Sequence, residues 1–127
     1  SLGTEVEVVD GPAGAAAQRK LLRSVFYNGM GAAVLEALAA ARAAGLEDWM
    51  REHLRQELTA ADGALVDRLE DGSVRHARRR AHEMAAAAAL LAELGVPALV
   101  TAASEQWLHI LETQGAGAPS PGQPAER

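Results

Sequence analysis

The sequence predicts an all-α fold built around one long amino-terminal helix and preceded by a short strand-like leader. Three observations predict it. From about residue 13 to residue 44 no proline interrupts a run dominated by good helix formers. Downstream, apolar residues recur at steps of three and four, the period of a helix with one buried face. Only residues 4–9, Thr-Glu-Val-Glu-Val-Val, alternate polar and apolar as a strand does. With 127 residues the chain is one domain's worth and can bury a single core. Aromatic residues make up only 3% while alanine is abundant, so the helices are expected to pack closely on small side chains.

The elements follow in order. Residues 1–12 are the leader strand and a turn, Asp10 to Gly14 supplying the turn residues. The helical domain occupies residues 13–113, and its first helix closes at Gly45, a residue suited to a helix C-terminus. Gly29 and Gly31 weaken that helix by ~1 kcal/mol each relative to alanine, which points to a close helix crossing. Leu46, Met50, Leu54 and Leu58, with Trp49 beside them, form the stripe of a second, amphipathic helix. Thr59 and Asp62 resemble a capping pair opening a third helix, which carries Leu65, Val66 and Leu69 and stops at Asp71-Gly72. Ser73 is then expected to cap a fourth, whose stripe is Val74, Ala77, Ala81, Met84, Ala88 and Leu91. Gly95 and Pro97 break it, and a last helix spans about residues 98–112. Residues 114–127, rich in Gly, Pro and polar side chains, are expected to be disordered.

Composition excludes several functions. The formal net charge is −5, from 17 acidic and 12 basic residues, so neither nucleic acid nor an anionic membrane surface is an expected partner. The oiliest contiguous run, residues 84–92, is far shorter than the ~20 residues of a spanning helix. The absence of cysteine removes disulfides, thiol catalysis and thiolate metal sites, and is compatible with the cytoplasmic location expected here. No metal is expected either: His76 and His82 are six apart, off a common helical face, and there is no HExxH pattern. A chain opening on Ser1 rather than methionine is expected to be a fragment or a processed product.

One constellation suggests chemistry. Lys20, Ser24 and Asn28 stand at i, i+4 and i+8, on one face of the long helix, among Leu21, Leu22, Val25 and Phe26. An ammonium there can act as general acid or base for a carbonyl/alcohol pair, with Ser24 and Asn28 orienting the substrate; a lysine snorkelling to solvent is the alternative. Just ahead lies Gly11-Pro-Ala-Gly14, where backbone could approach a ligand closely, although glycine before a helix is more often a simple turn. Arg75, Arg78, Arg79 and Arg80, with His76 and His82, make a basic helix start: either an anion site or a solvated face in which Glu83 pairs with Arg79 or Arg80. Phe26, Tyr27, Trp49 and Trp107 are too scattered for a stacking platform and read as core or interface residues.

The spacing Gly11-x-x-Gly14-x5-Lys20 resembles the segment joining the two domains of the β-hydroxyacid dehydrogenases, a family that includes 6-phosphogluconate dehydrogenase and the imine reductases. Glu36-Ala37 and Gly45-Leu46 are similar to the family's ending of its long helix. His82-Glu83-Met84 and Gly95-Val96-Pro97 fall where that family has Lys-Asp-Leu and G-x-x-x-P. Lys20-Leu-Leu-Arg-Ser-Val-Phe, Arg75-His-Ala-Arg-Arg79 and Glu83-Met84 look closest to a 6-phosphogluconate dehydrogenase-like carboxy-terminal group, and the likeness covers roughly residues 2–111.

The resemblance implies a 6-phosphogluconate dehydrogenase C-terminal-like helical domain, with NAD or NADP bound mainly by an upstream Rossmann domain outside this chain. It implies a small hydroxy acid or related alcohol/carbonyl as substrate, and a homodimer formed through the helical domain. Lys20 maps onto the family's catalytic lysine, Ser24 onto a substrate-orienting asparagine, His82 onto the second lysine position, and Gly11 and Gly14 onto the loop beside cofactor or substrate. Two departures stand out. The usual Asn-Asn pair is Arg23-Ser24 here, so a hydroxyl replaces an amide. Tyr27 stands where 6-phosphogluconate dehydrogenase has an acidic glutamate, which argues against oxidative decarboxylation by that route. A stand-alone helical dimerisation or regulatory module is a second reading, and an imine reductase-type domain a third; imine reductases often lack the lysine, so Lys20 speaks against the last.

Overall fold

The structure, a computed structural model, describes residues 11–116. They form five α-helices with no strand among them: α1 (Pro12–Ala43), α2 (Glu47–Ala60), α3 (Ala64–Arg75), α4 (Ala77–Glu93) and α5 (Leu99–Ala116). The all-α class and the long first helix are as the sequence predicts. The leader strand at residues 4–9 and most of the carboxy-terminal tail lie outside the described residues. Residues 114–116, expected to belong to that tail, continue α5.

By internal contacts the chain divides into Ser1–Ala33 and Val34–Arg127, the division falling inside α1. The described part of the first unit is the amino-terminal portion of α1. In the second unit α4 and α5 are the principal helix pair, and α3 packs against both. Its core is small: Ala41, Ala77, Ala81, Leu91 and Leu108 are the buried apolar residues. Ala77, Ala81 and Leu91 belong to the predicted stripe of the fourth helix, with Met84 and Ala88 half-buried along it. Ala81, 1% exposed, shows why alanine is used there, since a side chain of one carbon lets the neighbouring helix lie close.

Glycines close the helices where expected. Gly45 (φ +76°) and Gly95 (φ +74°) adopt the left-handed conformation that ends a helix without a Cβ penalty. At Gly45 the chain reverses into α2, with the Leu46 amide donating to the Ala41 carbonyl at 2.7 Å.

Several expectations are corrected. The third helix does not stop at Asp71-Gly72, and Ser73 caps nothing: α3 continues through both to Arg75, and the break falls at His76 (φ −115°). Over Gly72 lies the Arg80 guanidinium, 3.0 Å from where a Cβ would stand. Thr59 and Asp62 do not cap α3, whose first turn follows Gly63 without a side-chain cap. The second helix buries no residue; Leu46, Trp49 and Leu58 are exposed, and Trp49 stacks on His53 with ring centroids 5.6 Å apart. Phe26, Tyr27 and Trp107 are exposed as well, so none of the four scattered aromatics is core. Among the described residues no neighbour lies within 4 Å of a Cβ built at Gly29 or Gly31.

α1 is also long and apolar enough, by length and composition alone, to cross a bilayer, with a mean hydropathy of 1.2 in its best window. The expectation from contiguous apolar runs missed this because alanine accumulates mild hydropathy over many turns. Every 18-residue window of α1 carrying two or fewer charges includes Glu36. That carboxylate accepts hydrogen bonds from the start of α5.

Candidate functional site

The polar column on α1 takes its form from helix geometry. Steps of four residues place Lys20, Ser24 and Asn28 on one face, about 6 Å apart along the axis. Lys20 and Asn28 are exposed and Ser24 is half-buried. Around them the apolar side chains are bare, from 62% exposed at Leu22 to 73% at Val25. In this chain, then, Lys20 does not sit in a desolvated pocket. A further surface over Leu21, Leu22, Val25 and Phe26 is needed to dry the column.

Ahead of the column, Gly11 has φ +96°, a conformation other residues rarely adopt, and no atom lies within 4 Å of a Cβ built there. Its carbonyl accepts the Ala15 amide at 3.0 Å, so the turn passes directly into α1. Gly14 is buried in the first turn of the helix. His82 lies in the second unit, exposed on α4.

Within the second unit one carboxylate does unexpected work. Glu36 Oε1 accepts the Val100 amide at 2.9 Å, and Oε2 accepts both the Thr101 amide and its hydroxyl at 2.7 Å. The α5 start needs this, since Val96-Pro97-Ala98 offers no side chain able to cap it. Burial pushes the Glu36 carboxyl pKa up, but donation from Val100, Thr101 and Leu99 outweighs it and holds the group below its ordinary value. Sequence reasoning gave Glu36 no such role, because its partners are 64 and 65 residues away. The available signal was a single carboxylate in the apolar residues 34–41, together with an uncapped helix start after Pro97.

A second carboxylate organises the α1–α2 turn. Glu47 accepts from Arg42 Nε and Nη2, both at 3.0 Å, and from Arg51 Nη2 at 2.9 Å. Hydrogen bonds from Arg42, then from Arg51, hold its carboxyl at about 2 against burial, with both positive charges acting in the same direction.

Two further histidines find local partners: His53 on Trp49, and His109 between Glu105 at 3.2 Å and Glu112 at 3.4 Å. Among the described residues no cluster of three or more His, Asp and Glu side chains is placed to hold a metal ion.

Residues 41–111, more than half of the chain, match the model of a family described as a domain of unknown function (DUF1932). That family is the carboxy-terminal helical domain found in NAD(P)-binding proteins that resemble 3-hydroxyisobutyrate and 6-phosphogluconate dehydrogenases. The match includes His82 and begins after the Lys20–Asn28 column. No curated protein and no solved structure matches the chain.

Proposed function

The chain belongs to the family designated DUF1932, and on that ground we propose that it is the helical substrate-binding and dimerisation domain of an NAD(P)-dependent oxidoreductase. The substrate class is a small hydroxy acid or a related alcohol or carbonyl compound. The observation carrying this reading is the polar column: an ammonium, a hydroxyl and an amide stacked on one face of a helix whose flanking apolar side chains are uncovered. Such a face is one wall of a cleft.

On this reading a dinucleotide, NAD or NADP, is held mainly by an upstream domain. Of this chain, Gly11 has the open backbone to lie against cofactor or substrate, and Gly14 sets the start of α1 behind it. When bound, nicotinamide supplies or accepts the hydride at carbon. Lys20 donates a proton to the substrate oxygen in reduction and recovers it in oxidation. Ser24 and Asn28 hold the substrate by hydrogen bonds, Ser24 offering one donor where the related enzymes have an amide. His82 contributes a further substrate contact. The enzyme is a cytoplasmic homodimer, with neither nucleic acid nor a membrane as partner.

A non-catalytic dimerisation module is favoured by one observation, the same bare apolar face on α1, which a second protein surface would cover without any chemistry. Lys20→Ala in the intact protein separates the two readings. The oxidoreductase reading expects turnover to fall by ~10²–10⁴ with an unchanged circular dichroism spectrum. Nicotinamide-dependent turnover that survives the substitution unaltered would remove Lys20 from the mechanism.

A further inference from the structure

At the junction of α3 and α4 the residues Arg75, His76, Arg78, Arg79, His82 and Glu83 line an open groove of about 760 Å³. Three guanidinium groups face one carboxylate there, in a chain whose net charge is −5. A solvated basic face would be expected to neutralise itself through local ion pairs. Arg75 does so, with Asp71 at 3.1 Å. Arg78 and Arg79 do not: among the described residues neither has an acidic partner within 4 Å, and Glu83, one turn on from Arg79, pairs with neither Arg79 nor Arg80. Arg80 leaves the groove altogether and lies against Gly72. The first turn of α4 holds no acidic residue and no side chain caps it, so nothing in that turn offsets the cations.

We infer that this groove is a binding site for a phosphate group carried by a small molecule, with Arg78 and Arg79 as its principal ligands and His82 beside them. Two unpaired guanidinium groups match the charge of a phosphate dianion, and each is a fork of N–H donors suited to phosphate oxygens. A monocarboxylate needs only one such fork. Glu83 at the rim opposes the anion and limits its affinity, which suits a ligand that must leave again. The inference concerns residues of the second unit alone and does not depend on Lys20 or on a nicotinamide.

The test is isothermal titration of the full chain with inorganic phosphate, and separately with glycerol phosphate as a simple monoester, at constant ionic strength with acetate as control. Saturable binding is expected for both phosphates, each displacing the other, with acetate weaker. Arg78→Gln and Arg79→Gln should each weaken it by about tenfold. Glu83→Gln should tighten it, and Arg55→Gln on α2 should leave it unchanged. All four positions are exposed on helices, so circular dichroism should show an intact fold. Binding that is unsaturable, equal for acetate, or equally weakened by Arg55→Gln would show only general charge attraction and overturn the site. Binding of inorganic phosphate without the monoester would overturn the small-molecule ligand.

Discussion

Glu36 on α1 and Thr101 on α5 meet through a single oxygen: Oε2 of the carboxylate accepts the backbone amide and the hydroxyl of Thr101, each at 2.7 Å. This contact stitches the carboxy-terminal end of the long helix to the start of the last one, and it replaces the cap that α5 lacks in its own sequence. Glu36→Ala is expected to destabilise the chain by about 1–2 kcal/mol in urea unfolding, and Thr101→Val, which removes the hydroxyl alone, by less. The two losses should not add, because they share one acceptor. An unchanged unfolding midpoint in Glu36→Ala would mean that water caps α5 equally well.

Acid should open the turn between α1 and α2. The Glu47 carboxyl lies at about 2 in the folded chain, below its ordinary 4.5, so the stabilisation it provides is complete above about 4.5 and is lost as pH falls toward about 2. Glu36 acts in the same direction, its carboxyl being held below the ordinary value too. Because Glu47 and its arginines face solvent, added salt should shrink its share while leaving that of Glu36 largely intact. Carbon-13 titration of the side-chain carboxyls reads each group separately. A Glu47 carboxyl titrating at its ordinary value would show that Arg42 and Arg51 do not hold it in solution.

The bare face of α1 predicts self-association. Leu22 and Phe26 stand one turn apart and are 62% and 68% exposed. Light scattering of the full chain should give twice 13.3 kDa. Phe26→Asp should return it to the single mass by placing a charge where apolar surface is to be buried. A parent chain that remains at 13.3 kDa at high concentration would show that another protein surface, not a second copy, covers this face.

The sequence by itself determined the helices. Their number, their order and most of their ends follow from local physics: strong helix formers without proline through α1, left-handed glycines at Gly45 and Gly95, and apolar steps of three and four leading to buried Ala77, Ala81 and Leu91. The stacking of Lys20, Ser24 and Asn28 was legible for the same reason, since one helix fixes its own faces. Local physics failed where a distant group intervened. Gly72 continues α3 instead of ending it, and the Arg80 guanidinium from the next helix lies over it. The stripe of α2 and the scattered aromatics read as core or interface, yet periodicity shows only that a face is apolar, not that anything covers it. Glu36 is the clearest case. A carboxylate reads the same in sequence whether it faces water or caps a helix 64 residues away, and only the folded chain brings it to Val100 and Thr101.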